Sequence, residues 1–202
     1  MTSFELLDGD DERLRSSTAL DEATDALRAA QLDDETADRH RDDVLAFVAA
    51  HGDAAHRTNQ EGHLTGSALV VDASATRTLL MLHRKLGRWF QPGGHADGDT
   101  NLAAVALREA TEETGIAGLR VAVPAIDVDV HEVRPPAEPP HLHLDTRYLV
   151  VAPPGAHEQA NEESLALRWV TEVDLDALDP PIDESTRRLV RRGLDVAGRL
   201  LT

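Results

Sequence analysis

Two stretches near the start of the chain carry apolar residues at helical spacing. In residues 19–32 these are Leu20, Ala23, Ala26, Leu27 and Ala30, and in residues 35–50 they are Ala37, Val44, Phe47 and Val48, so two amphipathic helices are expected. A polar connection from Gly52 to Gly62 follows. Then "GSALVVD" and "TLLMLHR" read as a pair of strands around the turn-like "ASAT". Residues 119–133 and 141–152 give two more strand candidates joined by the Pro-rich "RPPAEPP", and "LALRWV" gives a shorter one. A last helix is predicted from Asp183 to Leu201, carrying Leu189, Val190, Leu194, Val196 and Leu200. No internal repeat or low-complexity tract interrupts this order. Helices, strands, a helix, strands and a closing helix make an α/β chain with a mixed sheet and helices packed on it.

Length and charge narrow the chemistry. At 202 residues the chain is long enough for one sizeable core. Its 37 Asp and Glu against 20 Lys and Arg leave a net charge of −17, which repels nucleic acid and anionic membrane surfaces. A phosphate-bearing substrate therefore needs a local cationic spot or a bound metal to draw it in. There are no cysteines, so disulfides, thiolate zinc sites and cysteine nucleophiles are excluded. No 18-residue apolar run and no apolar stretch of secretory length occur, and a cytoplasmic protein is expected.

One segment stands apart, "QPGGHADGDTNLAAVALREATEETGI", residues 91–116. Thr100 is expected to cap a helix beginning at Asn101, with Asp97 and Asp99 upstream complementing the positive end of its dipole. Gly115 suits the left-handed residue that ends it. At roughly 100° per residue, Glu109, Glu112 and Glu113 fall on one arc together with Leu102, Val105 and Ala106. The stripe that begins apolar ends in carboxylates. That is electrostatically adverse, because negative charge near a helix C-terminus opposes the dipole and Glu109 repels Glu113 one turn on. Arg108 offsets one charge of the three. Either the acids are a solvated face, the usual fate of a charge run, or a divalent cation held by carboxylate oxygens reverses the balance. Gly94, Arg108, Glu109, Glu112, Glu113 and Gly115 are six fixed positions, each at roughly one residue in fifteen, so chance gives on the order of one in ten million per starting point.

Residues 94–116 resemble the Nudix box: Gly, five residues, Glu, seven residues, then Arg-Glu-apolar-any-Glu-Glu-any-Gly-apolar. Gly94, Arg108, Glu109, Ala110, Glu112, Glu113, Gly115 and Ile116 are in register. One position departs, Thr100, where the pattern has its first glutamate; Asp99 is adjacent. The resemblance implies a Nudix-type α/β/α sandwich over residues 62–202, behind an N-terminal helical extension at residues 1–61. It also implies hydrolysis of a nucleoside diphosphate linked to another moiety, with Mg²⁺ or Mn²⁺ between enzyme and diphosphate. Glu109, Glu112 and Glu113 would then be metal ligands and Arg108 would hold a glutamate in place. The general base would be Glu112 or, on a later loop, Glu163. The backbones of Gly93 and Gly94 can approach ligand or metal closely, having no side chains.

Other residues carry candidate chemistry outside the box. "HRKLGRW" gathers His83, Arg84, Lys85 and Arg88, with Lys85 the only lysine of the chain; the cluster reads either as a phosphate clamp or as a solvated hairpin. Trp89 reads as core or pocket wall, or as a platform for a base. His141, His143 and Asp145 alternate at strand period, as do Asp127, Asp129 and His131 on the preceding strand. If those strands pair, His131, His141 and His143 converge and can ligate a metal or contact phosphate. His95, beside the glycine turn, is a further candidate to bind the substrate or metal. The N-terminal helices have no chemical signature and read equally as a cover for the sheet, a homodimer contact or a closure over substrate. Two functions follow: a metal-dependent pyrophosphohydrolase acting on a small nucleotide or diphosphate, or a Nudix-like binding or regulatory module without turnover. The related isopentenyl diphosphate isomerase chemistry uses a cysteine, and this chain has none.

Overall fold

The computed structural model describes residues 3–135, 139–162 and 164–201. Strand β1 (Glu5–Asp8) and a short 3₁₀ turn precede helices α1 (Leu20–Ala29) and α2 (Glu35–Ala50). Strands β2 (Gly62–Val71), β3 (Thr78–His83), β4 (Arg88–Phe90) and β5 (Gly93–His95) lead into α3 (Leu102–Thr114). Strands β6 (Arg120–Val123), β7 (Asp127–Val133), β8 (His141–Val151) and β9 (Ser164–Val170) follow, and α4 (Glu184–Leu200) closes the chain. Asp183 caps α4, its side chain accepting from the Thr186 N–H, as the sequence suggests.

The sheet is mixed. Its path runs β1-β6-β8-β2-β3-β4, with β5 on β2, β7 on β8 and β9 on β3. The pair β2 and β8 is parallel, from Gly62 opposite Leu142 to Val71 opposite Val151, and the other ladders are antiparallel. Two strands share the free edge of each central one: β6 and β7 on β8, β3 and β5 on β2. Among the described residues, one core lies between the sheet and α3, and includes Leu64, Ala68, Val70, Leu102 and Ala106. A second, on the opposite face, joins Leu69, Val71, Leu149 and Val151 to Leu189, Val190 and Val196 of α4. This is the α/β/α sandwich. Ala23 and Leu27 of α1 and Val44 and Val48 of α2 belong to the α3-side core, so the N-terminal helices cover that face of the sheet. Among the described residues, no helix is long and apolar enough to cross a membrane.

Four differences from the sequence reading matter for the site. β2 begins at Gly62, inside the stretch read as connection, because "HLTGS" alternates polar and apolar residues and is wholly buried. The segment 119–133 is two strands, β6 and β7, broken at Pro124, which has no N–H to give a ladder. β1, β4 and β5 are three or four residues long, too short to carry a period. The cap of α3 is Asn101, whose side-chain oxygen accepts from the Ala104 N–H at 3.2 Å. Thr100 is buried one residue earlier with its hydroxyl unpartnered.

Candidate active site

The geometry begins with a close approach. A Cβ on Gly66 would come within 2.8 Å of the Leu102 carbonyl and 3.0 Å of the Val105 side chain, so only glycine lets α3 lie this near β2. With Leu102, Val105 and Ala106 buried against the sheet, the same stripe carries Glu109 and Glu113 onto β5. Glu113 is 5% exposed, and its Oε2 accepts the Gly93 N–H at 2.9 Å. Glu109 lies so close that a Cβ on Gly94 would stand 2.4 Å from its Oε2. Arg108 donates to Glu109 Oε1 at 3.1 Å and to the His95 carbonyl at 3.5 Å. Asp99 Oδ2 is 3.9 Å from Arg108 Nη1. Asp99 thus sets a carboxylate near Arg108 from the position before Thr100.

The three glutamates do not share one environment. Glu112 is exposed, since roughly 100° of helical rotation separates it from Glu113 and sets it at the margin of the buried stripe. Its main-chain carbonyl accepts from Asn161 Nδ2 at 3.3 Å. The loop carrying Asn161 also binds the end of α3, Gln159 N–H donating to the Thr114 carbonyl at 2.7 Å, next to Gly115 at φ +67°. Arg84 ties the β3–β4 hairpin to the same loop, donating to the carbonyls of Glu162 at 2.8 Å and Ser164 at 3.1 Å. Arg84 is therefore a brace, while Lys85 and Arg88 are exposed. Trp89 is buried, its indole N–H on the Asp179 carbonyl at 3.2 Å, so it is core. Glu163 lies outside the described residues.

Five histidines gather on the opposite face of the sheet from α3. Strand pairing does this: His63 of β2 is opposite His143 of β8, which is opposite His131 of β7, while His95 of β5 is opposite Thr65. Ring centroids lie 4.9 Å apart for His63 and His95, 5.2 Å for His63 and His143, and 5.1 Å for His95 and His143. His141 packs 4.8 Å from His63, and His131 5.4 Å from His143. His131 Nδ1 pairs with Asp129 Oδ2 at 3.0 Å and His141 Nδ1 with the Pro139 carbonyl at 2.9 Å. Ligand atoms of His63, His95 and His143 all lie within 4.8 Å of one another. Of the three histidines expected as ligands, His143 belongs to this convergent set and His131 and His141 flank it. Burial, then neighbouring cations and imidazoles, holds His95 down to about 4 and His143 to about 2, and lowers His63 as well. All three are neutral at pH 7.

Next to the histidines, on the same face of the sheet, runs a buried ionic layer. Asp145 accepts from Thr65 at 2.9 Å, Ser67 at 2.8 Å and Arg147 at 2.8 Å. Arg147 also meets Asp127 and Asp129, each at 3.1 Å, and Arg188 meets the same two acids at 3.1 and 3.2 Å. Burial raises Asp127, whereas at Asp129 the pull of Arg147, His131 and Ser185 overcomes burial and holds the carboxyl well below its ordinary range. These aspartates are committed to arginines. His63 is the member that the sequence reading missed, since it falls between the connection ending at Gly62 and the strand expected from Gly66. Its spacing of two from Thr65 and four from Ser67 was the available signal, but the parallel β2–β8 register that brings it to His143 has no local signature.

The NUDIX domain family model matches residues 63–193. No curated protein sequence shows a significant match. Among solved structures, a NUDIX-family hydrolase from Clostridium perfringens superposes with a TM-score of 0.52 at 24% identity, over 66% of this chain and 97% of that one. A C. elegans Ap4A hydrolase gives 0.52 at 16% identity, over 64% and 93%. The E. coli dihydroneopterin triphosphate pyrophosphohydrolase gives 0.50 at 16%, over 65% and 94%. With more than half of its residues matched, the chain belongs to the NUDIX domain family, whose enzymes are hydrolases of diphosphate bonds. Those hydrolases are in general dependent on a divalent metal.

Proposed function

We propose that this protein is a metal-dependent pyrophosphohydrolase that cleaves a nucleoside diphosphate linked to another moiety by water attack at phosphorus. The observation that carries the reading is the seating of Glu109 and Glu113 against the bare backbone of Gly93 and Gly94. The donor set fits a hard divalent cation, Mg²⁺ or Mn²⁺: carboxylate oxygens from one helix, two of them drawn inward at the C-terminal end where negative charge is otherwise adverse. Glu109, Glu112 and Glu113 would hold the ion. When bound, it would neutralise the diphosphate, polarise a phosphoryl oxygen and lower the pKa of the attacking water.

The chain's own residues supply the rest. Arg108 orients Glu109 through the 3.1 Å contact. Glu112, the exposed member, takes the proton as the water oxygen bonds to phosphorus and the bridging P–O bond breaks, the leaving phosphate departing with the electron pair; Glu163 is the alternative base. Lys85, Arg88 and His95 attract the phosphates, with Arg84 bracing the hairpin that carries the first two. Residues 62–202 form the hydrolase domain and residues 1–61 an extension to it. The substrate is a small diphosphate free in the cytoplasm, bound with no nucleic acid or membrane partner, and the extension is open to a homodimer contact.

The test is incubation with nucleoside triphosphates, dinucleotides and nucleotide sugars in Mg²⁺ or Mn²⁺, products being identified by mass. Cleavage is expected, and Glu112→Gln should lower kcat by about 10²- to 10⁴-fold. Failure to cleave any of them, or a Glu112→Gln rate equal to that of the parent, leaves the non-catalytic module in its place.

A further inference from the structure

His63 is 1% exposed, and neither of its ring nitrogens makes a hydrogen bond of normal geometry. A neutral imidazole has one N–H to donate and one lone pair to fill, and burying both unmatched is costly. Its ring packs against three other imidazoles, those of His95, His141 and His143. The main chain of Asn59 lies close enough to favour a proton on the His63 ring. That residue is itself fixed, donating to Asp53 at 2.8 Å and accepting from the Glu61 N–H at 3.0 Å. A ring steered by a carbonyl on one side presents a lone pair on the other, the arrangement that orients metal-bound histidines.

We propose that His63, His95 and His143 form a second divalent-cation site, of imidazole character, for a borderline ion such as Zn²⁺, on the reverse side of β5 from the carboxylates. Side chains alternate along β5, so Gly94 faces Glu109 while His95 faces away toward His63 and His143. Three nitrogen donors suit zinc, cobalt(II) or nickel(II) and are poor ligands for magnesium, which prefers oxygen. Three protein ligands leave a fourth position for water or substrate. Zinc at about 2.0 to 2.1 Å from each nitrogen needs nitrogens roughly 3.3 Å apart, so the ligand nitrogens, now within 4.8 Å of one another, draw inward by side-chain rotation when it binds. One lone pair from each ring would then share a cation, which removes the deficit at His63. The site stands or falls independently of whether the carboxylates catalyse hydrolysis.

The experiment is titration calorimetry of the chelator-stripped full chain with zinc chloride in excess magnesium, which occupies the carboxylates, followed by cobalt(II) absorption spectra. One zinc per chain is expected beyond the magnesium, and cobalt should give the strong visible bands of a four-coordinate nitrogen site. His63→Ala and His143→Ala should each weaken zinc by about tenfold or more. Glu113→Gln and the exposed His157→Ala should leave zinc affinity within about twofold, inside the scatter expected of an uninvolved position. No zinc uptake, cobalt bands of the weak six-coordinate kind, or zinc lost with Glu113→Gln and retained in both histidine variants overturns the proposal. The parent protein's cobalt spectrum decides the matter even if the histidine variants do not fold.

Discussion

The two faces of β5 hold opposite kinds of donor, assembled in opposite ways. On the α3 side, Glu109 and Glu113 come from one helix and meet Gly94 and the backbone of Gly93, the two strand residues before His95. On the other side, His63, His95 and His143 come from three strands, and only pairing across β2 and β8 and across β2 and β5 joins them. Their supports differ too. Arg108, the cation beside Glu109, is 40% exposed, whereas Arg147, on the same face as the histidines, is 4% exposed and meets three aspartates. The carboxylate face is a local device laid on the sheet, and the imidazole face is part of the sheet's interior.

The largest effect should therefore come from the ionic layer. Arg147→Met removes the shared partner of Asp127, Asp129 and Asp145 and strands buried charge, at a cost of about 3 to 5 kcal/mol. Arg108→Met, at the partly exposed site, should change stability by no more than about 1 kcal/mol. Urea midpoints at constant m-value measure both. Equal costs for the two substitutions would remove the distinction between a device laid on the sheet and one built into it.

The same contrast governs what could be read from the chain. The carboxylate cluster sits in 23 consecutive residues, 94–116, and helix geometry is local, so spacing alone relates Gly94 to Glu109 and Glu113. The refinement that Glu112 turns outward needed the exact seating of α3 at Gly66. The antiparallel β7–β8 pair was half legible, because strand period puts Asp129 and His131 on one side of their strand and His143 and Asp145 on one side of theirs, and a single loop joins the two strands. The register that opposes His131 to His143 then follows once they pair. His63 was not legible: it is 80 residues from His143, and parallel pairing at that separation leaves no trace in local periodicity. Nor was the commitment of Asp127, Asp129 and Asp145 to Arg147 and Arg188, since α4 must dock before Arg188 arrives.

A second test uses acid. The unfolded chain protonates its histidines near the ordinary value of 6.5, but burial keeps His95 neutral to about 4 and His143 to about 2. Below 6.5 the unfolded state therefore binds more protons than the native state, and stability rises with pH. Their contribution is complete above about pH 6.5 and is lost progressively as pH falls toward the native values. For metal-free protein the loss between pH 7 and pH 5 should be about 3 kcal/mol, allowing for coupling among the rings. The double variant His95→Asn/His143→Asn should flatten that slope in denaturant melts. An unchanged slope would mean that the imidazoles are not buried neutral.

The smallest effect is the most discriminating, because two adjacent glycines point to the two faces. A Cβ at Gly94 meets first the tip of Glu109, at 2.4 Å from Oε2, and that flexible carboxylate can swing aside. A Cβ at Gly93 meets Ser67, at 2.2 Å from Oγ, 2.9 Å from Cβ and 3.0 Å from Cα, and a strand backbone held in a ladder cannot. Gly93→Ala should therefore cost about 1 to 3 kcal/mol of overpacking strain. It should also loosen the hydroxyl that Ser67 donates to Asp145 at 2.8 Å. Gly94→Ala should cost less than about 1 kcal/mol in stability, yet lower kcat in Mg²⁺ by about tenfold or more, because Glu109 loses its seat and small misplacements at a reacting centre are expensive. Steady-state kinetics beside thermal melts on the two variants separate the outcomes. A Gly94→Ala protein that melts far lower than Gly93→Ala would mean that Glu109 is held as rigidly as the sheet, and the carboxylates would then belong to the interior as much as the histidines do.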